Sequence, residues 1–145
     1  MIAVDTNLLV YAHRAGCPEH EAARRAIEEA ANDIRGWGIP SSCLFEFWSV
    51  VTHPSSAGGG SSPASARGFI EALVDTAGAV ILPPPSALVP RCLQIADQLD
   101  VRGPRIFDLR IGLAALEAGV TEIWTHDAGF IAIPGLKVHD PLQTA

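Results

Sequence analysis

Two stretches of the sequence decide the fold: residues 1–12, MIAVDTNLLVYA, and residues 105–130, RIFDLRIGLAALEAGVTEIWTHDAGF. In the first, a short apolar run ends at Asp5, and the residues that follow have the chemistry of a helix start. In the second, a helical pattern ends at Gly119, and β-branched and aromatic residues follow at 121–125. Each stretch therefore predicts a strand beside a helix, which is typical of α/β proteins.

The same alternation continues through the rest of the chain. Strands are predicted at residues 2–4, 37–40, 79–82, 121–125 and 136–139, and helices at 8–12, 18–31, 44–52, 65–77, 86–99 and 105–118. Such alternation favours an α/β fold with a mostly parallel sheet, helices on both faces and a single domain over residues 1–145. The Gly- and Ser-rich residues 55–66 are either a plain linker or a mobile loop over a site.

Composition limits the class of protein. The 145 residues are 48% hydrophobic and 18% charged, which excludes disorder, and no apolar run is long enough to cross a bilayer. The N-terminus does not have the pattern of a secretory signal, so we expect a cytoplasmic protein with no membrane partner. Three cysteines lie far apart (Cys17, Cys43 and Cys92), and we expect them to be reduced packing residues.

Net charge argues at first against a nucleic-acid partner. The formal charge is −6, with only ten basic residues, whereas phosphate binding usually leaves a basic surface. The argument weakens if carboxylates cluster to hold divalent cations, because bound metal would reverse the local field.

Four acidic residues are predicted to meet at one edge of the sheet. Asp5 and Asp127 follow strands, and Glu46 and Asp108 lie in the first turns of helices. Strand carboxyl ends and helix N-termini share the ligand-binding edge of a parallel sheet. Each acid alone could be a helix cap or a favourable charge at a helix N-terminus. Together they would repel one another unless a partner neutralised them.

The surroundings of Asp108 and Glu46 point to a metal. Asp108 lies among apolar residues on the face opposite Arg110, and the helix that contains Glu46 has no basic residue. With oxygen ligands alone, Mg²⁺ fits best and Mn²⁺ is possible. Such metals assist phosphoryl transfer, which predicts a substrate with a phosphate. Arg102 and Arg105 could bind the phosphates of a polynucleotide, or could instead pair with nearby Asp97 and Asp100.

At these residues the sequence resembles the PIN-domain ribonucleases, and within them the VapC toxins of bacterial VapB-VapC toxin–antitoxin pairs. The resemblance covers nearly the whole chain and includes CLFEFWSVVTHP at 43–54 as well as the two stretches quoted above. It implies a PIN-like three-layer α/β/α fold. It also implies that Asp5, Glu46, Asp108 and Asp127 are the metal-binding and catalytic set, oriented by Thr6, Asn7 and Thr125.

The resemblance further implies Mg²⁺-dependent cleavage of structured cellular RNA, homodimerisation, and inhibition by a cognate VapB-like antitoxin. Metal-activated water would leave 5′-phosphate and 3′-hydroxyl ends. One departure is AGF after Asp127, where many relatives have another acidic residue before the Phe. This puts a fifth ligand in doubt.

Other classes fit the sequence less well. A phospho-receiver domain needs a Lys at a late strand end, where only Lys137 exists, and a dehalogenase-type phosphatase needs DxDxT where this chain has DTNLL. A nuclease for DNA flaps shares the chemistry but needs additional elements for which 145 residues leave no room. The main alternative is a PIN-like module without catalysis that only binds a protein or RNA partner.

Overall fold

The fold is built on a central five-stranded parallel sheet. We describe residues 1–56 and 58–143 of a computed structural model. The strands are β1 (Ile2–Val4), β2 (Trp37–Pro40), β3 (Val80–Leu82), β4 (Glu122–Trp124) and β5 (Lys137–His139), in the order β3-β2-β1-β4-β5. Every pair of neighbouring strands is parallel. The expected α/β fold with a parallel sheet is confirmed.

Six α-helices are present in the described residues: α1 (Thr6–His13), α2 (His20–Asn32), α3 (Ser41–Thr52), α4 (Pro63–Glu71), α5 (Leu88–Gln98) and α6 (Ile106–Glu117). A π-helical turn (Ala72–Thr76) continues α4, and a 3₁₀ turn (Gly103–Arg105) precedes α6. Helix α1 packs against α2 and α3, while α5 packs against α6. None of the described helices is long and apolar enough to cross a membrane.

The predicted helix starts differ from the observed ones by one to three residues. The helix predicted to begin at residue 44 begins at Ser41, directly after Pro40 and without a side-chain cap. The cap of α4 is Ser62, whose Oγ accepts from the Ser65 amide at 3.1 Å. Helix α4 therefore begins at Pro63, a residue well suited to the first turn because it has no amide hydrogen to leave unpaired.

The Gly- and Ser-rich stretch 55–66 contains Ala57, which is outside the described residues. The second half of this stretch is anchored. The Ser61 amide donates to the Val51 carbonyl at 2.7 Å, and Ser61 Oγ lies 2.9 Å from His13 Nε2. This half therefore connects α3 to α4 along a defined path.

The central strands of the sheet are fully buried. Their burial fixes the positions of the residues that follow them in the chain. All three residues of β1 have no exposed surface, and Ile123 of β4 is equally buried. Cys43 and Cys92 are buried free thiols, as expected, whereas Cys17 is only partly buried.

Gly119 lies in the turn that follows α6 and has a φ of +80°, a conformation that favours glycine. The tight turn leads the chain directly into β4.

Candidate active site

The four predicted acidic residues line one groove at the carboxyl edge of the sheet. Its volume is about 350 Å³. The lining also includes apolar and aromatic side chains, and the full set is Asp5, Thr6, Asn7, Val10, Tyr11, Glu46, Val50, Phe107, Asp108, Ile111 and Asp127. The structure thus brings together carboxylates separated by more than a hundred residues of sequence.

Asp5 is the buried floor of the groove. It follows β1, caps α1 and is only 5% exposed. Its Oδ1 accepts from the Thr6 amide at 2.7 Å, and its Oδ2 accepts from Thr125 Oγ1 at 2.8 Å and from Asn7 Nδ2 at 3.1 Å. Cys43 Sγ, also buried, lies 3.7 Å from Oδ1. These donors fix the orientation of the carboxylate.

Asn7 and Thr125 connect the first turn of α1 to the end of β4 beneath the groove. Asn7 Nδ2 donates to Thr125 Oγ1 at 2.9 Å, and Asn7 Oδ1 accepts from the His126 amide at 2.9 Å. Thr125 Oγ1 also accepts from the Asp127 amide at 3.1 Å. Because Thr125 accepts twice, its own hydrogen is directed to Asp5. The network therefore connects Asp5 to the turn that contains Asp127.

Glu46 is held from two sides. Its Oε2 accepts from Thr6 Oγ1 at 2.7 Å, and its Oε1 accepts from Arg110 Nη2 at 2.7 Å. Arg110 also lies over the Phe107 ring, 5.3 Å from its centre, and its buried Nε has no hydrogen-bond partner in the described structure. The helix that contains Glu46 has no basic residue, as the sequence shows, and the arginine comes from α6, which packs beside α3.

Asp108 and Asp127 share Arg105. Arg105 Nη1 lies 2.5 Å from Asp127 Oδ2 and 3.3 Å from Asp108 Oδ2, while Nη2 lies 3.2 Å from Asp127 Oδ1. Asp108 Oδ2 also accepts from the Ile131 amide at 3.1 Å. Both acids are therefore partly neutralised by an arginine, which lies in the 3₁₀ turn directly before the helix that contains Asp108.

The two arginines expected to bind phosphate are thus placed differently. Arg105 faces the acidic groove, half-exposed. Arg102 is 83% exposed and pairs with Asp100 at 3.2 Å. The ion pair of Arg102 is exposed and therefore weak. Of the two arginines, only Arg102 can readily exchange its carboxylate partner for another anion.

The pKa values of the acids reflect burial and mutual repulsion. Burial raises the pKa of Asp5, with further increases from Glu46 and Asp108. Burial likewise raises the pKa of Asp108, although Arg105 opposes this. In contrast, the hydrogen bond from Arg105 lowers the pKa of Asp127. The ionised forms of Asp5 and Asp108 are therefore less favourable in the folded protein than in the unfolded chain. A bound cation would stabilise these ionised forms.

The donor set fits a hard divalent cation in chemistry, but the acids are engaged by protein groups. Seven of the eight carboxylate oxygens accept a hydrogen bond from another residue, and Asp108 Oδ1 has no donor among the described residues. Within residues 1–56 and 58–143, no three His, Cys, Asp or Glu side chains are arranged to hold a metal ion as they stand. Metal ligation would therefore require some of these hydrogen bonds to be exchanged.

Two features of the site were missed from the sequence. Arg110 has no signal in its own helix, because its partner lies on α3. His126 Nδ1 lies 2.8 Å from Asp140 Oδ2, beside the site but 14 residues away along the chain. Arg105, by contrast, is three residues before Asp108 on one helix face, a spacing that permits the observed ion pair.

Sequence comparison identifies the family. The PIN domain family model matches residues 2–136. The chain is 35% identical over 143 residues to VapC ribonuclease Mb2897 of Mycobacterium bovis and to Ribonuclease VapC43 of Mycobacterium tuberculosis, covering 99% of this chain and 97% of each relative. It is 25% identical to Ribonuclease VapC48 of M. tuberculosis, with 96% of each chain covered.

Solved structures share the fold at low sequence identity. VapC20 of M. tuberculosis, described as a Sarcin-Ricin loop cleaving toxin, superimposes with a TM-score of 0.66 at 18% identity, over 90% of this chain and 92% of that one. A chain of FitAcB from Neisseria gonorrhoeae gives 0.66 at 16% identity, over 99% and 100%. A chain of VapBC2 from Rickettsia felis, bound to a promoter DNA fragment, gives 0.62 at 16%, over 97% and 98%.

Proposed function

This chain belongs to the PIN-domain family and, within it, to the VapC ribonucleases, and from that membership we propose that it is an endoribonuclease toxin of a toxin–antitoxin pair. The observation that carries the proposal is the groove in which Asp5, Glu46, Asp108 and Asp127 converge. A module that only binds a partner has no need to hold four acids, two of them with raised pKa values, in one groove.

We propose that these four carboxylates hold Mg²⁺, which Mn²⁺ can replace. A bound divalent cation lowers the pKa of water and stabilises the leaving oxygen of a phosphodiester. The contribution of the other side chains is to hold the carboxylate ligands in position. Thr6 orients Glu46, and Asn7 and Thr125 orient Asp5, each through the hydrogen bonds described above. Orientation of this kind contributes to both metal affinity and activity.

The proposed reaction is hydrolysis of structured cellular RNA in the cytoplasm. Water attacks phosphorus, the bond to the 3′-oxygen breaks, and the products have a 5′-phosphate and a 3′-hydroxyl. No step uses the 2′-hydroxyl of the substrate. Exposed Arg102 can exchange its contact with Asp100 for an RNA phosphate. With a net charge of −6, we expect binding that is weak, metal-dependent and sensitive to salt.

An apolar surface beside the acidic groove supports protein partners. Phe45 of α3 is 78% exposed, and Trp48 is 37% exposed. A second groove of about 450 Å³ borders Glu46 and Arg110 and is lined mainly by apolar atoms. We propose that a VapB-like antitoxin and a second copy of the chain cover this surface, since exposed apolar patches mark interaction sites. Phe47, in contrast, is fully buried and belongs to the core.

The test is cleavage of a 3′-labelled structured RNA by the full chain in Mg²⁺ and in excess EDTA, because the labelled fragment then carries the new 5′ end. We expect cleavage only with metal and only 5′-phosphate ends, detected by their competence for ligation. Cleavage in EDTA, or 2′,3′-cyclic phosphate ends, would contradict the metal mechanism.

A matched pair of variants separates catalysis from binding. Asp5→Asn should abolish cleavage, whereas Asp75→Asn changes an exposed acid outside the groove and should cleave as the wild type does. If wild type, Asp5→Asn and Asp75→Asn bind the RNA equally and none cleaves it, the protein is the non-catalytic PIN-like module instead.

A further inference from the structure

Arg105 places a positive charge beside two of the carboxylates of the acidic groove. Its guanidinium contacts three carboxylate oxygens, two on Asp127 and one on Asp108. The turn that follows β4 holds the same two carboxylates: the Gly129 amide donates to Asp127 Oδ1 at 2.9 Å, and the Ile131 amide donates to Asp108 Oδ2 at 3.1 Å. The guanidinium therefore bridges the ends of α6 and β4.

Gly129 makes the room that Arg105 occupies. A Cβ at this position would lie 2.1 Å from Arg105 Nη2 and 2.7 Å from its Cζ, too close for any real contact. The backbone of Gly129 does not require glycine, since its φ is not in the left-handed region. Arg105 can therefore occupy this position only because residue 129 has no side chain.

We propose that Arg105 is a resident counter-ion of the acidic groove that competes with the divalent cation for Asp108 and Asp127. This inference rests on the proposed function, because it presumes that the groove binds metal. In the metal-free protein Arg105 limits the repulsion between the two carboxylates. When metal binds, Arg105 leaves them and its half-exposed side chain turns to solvent, where it is free to meet an RNA phosphate.

Three variants of the full chain test the competition through direct Mn²⁺ binding, measured by the electron paramagnetic resonance signal of free Mn²⁺. Arg105→Gln removes the competing charge and the contact. Gly129→Ala removes the contact and leaves the charge. Arg102→Gln removes an equal charge three residues away that touches only Asp100, and so controls for the general change in field.

We expect Arg105→Gln and Gly129→Ala each to lower the Kd for Mn²⁺ by about threefold to fivefold, the upper part of the range for exposed ion pairs, and Arg102→Gln to leave it within twofold. In the Arg105→Gln background, Gly129→Ala should change the Kd no further. Thermal melting in EDTA checks that each variant is folded.

The results distinguish two failures. If every protein binds Mn²⁺ and Gly129→Ala has the wild-type Kd, Arg105 is not a competitor, although the metal site stands. An effect of Gly129→Ala as large in the Arg105→Gln background as alone would also overturn the inference. If the wild type and all variants bind no Mn²⁺, the metal part of the proposed function fails and the inference fails with it.

Discussion

Replacing Asp108 by Asn tests whether this carboxylate serves the fold or the chemistry. Asp108 Oδ2 accepts from the Ile131 amide and from Arg105, and Oδ1 has no donor among the described residues. The Asn oxygen can therefore keep both hydrogen bonds, with the new NH₂ group in the place of Oδ1. The substitution removes one charge and little else.

The sign of the effect follows from the pKa. Burial raises the pKa of Asp108, and Asp127 adds to this, so the ionised form is less favourable in the folded than in the unfolded chain. At pH 7 and without metal, Asp108→Asn should match or exceed the wild type in stability. Asp108→Ala would instead leave the Ile131 amide without its acceptor, at a cost of about 1–3 kcal/mol.

The assay is urea unfolding at pH 7 in EDTA, combined with RNA cleavage in Mg²⁺. With a slope of about 2 kcal/mol per molar urea, Asp108→Ala should lower the midpoint by about 0.5–1.5 M, and Asp108→Asn should not lower it. Cleavage should fall about a hundredfold or more in both variants. An Asp108→Asn protein that is less stable than wild type by over about 1 kcal/mol, yet nearly as active, would refute the reasoning.

Three further predictions concern the floor of the groove and the sheet. Because burial raises the pKa of Asp5 above 3.8, its stabilising contribution is complete below that pH and is lost as the pH rises through the folded-state value. The metal-free wild type should therefore lose stability relative to Asp5→Asn as the pH rises above about 4, and a gain in urea midpoints would contradict this. Asn7→Ala removes donors to Asp5 and Thr125 and should cost about 1–2 kcal/mol by the same assay, with an unchanged midpoint counting against the network. Gly38→Ala would place a Cβ 2.8 Å from a β3 carbonyl oxygen and should destabilise by about 1–3 kcal/mol, whereas Gly68→Ala, with nothing within 4 Å, should not lower the melting temperature.

The sequence predicts the central strands of the sheet well because they are buried on both faces. Continuous apolar runs such as Ile2–Val4 and the β-branched residues around Ile123 can only be buried strands in this context. The ends of helices are less well predicted. Ser41 has the chemistry of a cap, but β2 runs directly into α3, and this connection is set by how the helix packs on the sheet.

The site is predictable to the extent that strand ends and helix starts share an edge. That rule alone places Asp5, Glu46, Asp108 and Asp127 together, and the groove contains all four. The rule does not predict which basic side chains contact these four acids. The contact between Arg110 and Glu46 spans 64 residues and depends on the packing of α6 beside α3.

The paired arginines also bear on how an acidic chain could accept RNA. Four carboxylates in the groove face two guanidinium groups, Arg105 and Arg110, which leaves a formal local charge of −2. One divalent cation would cancel that charge, and release of Arg105 from Asp127 would move one of the counted positive charges to the rim. In the proposed function, metal would thus remove the negative field where the phosphate must approach, although the net charge of the whole protein stays negative. The overall charge of −6 is therefore a poor guide to RNA binding here, and the charge of the groove is the better one.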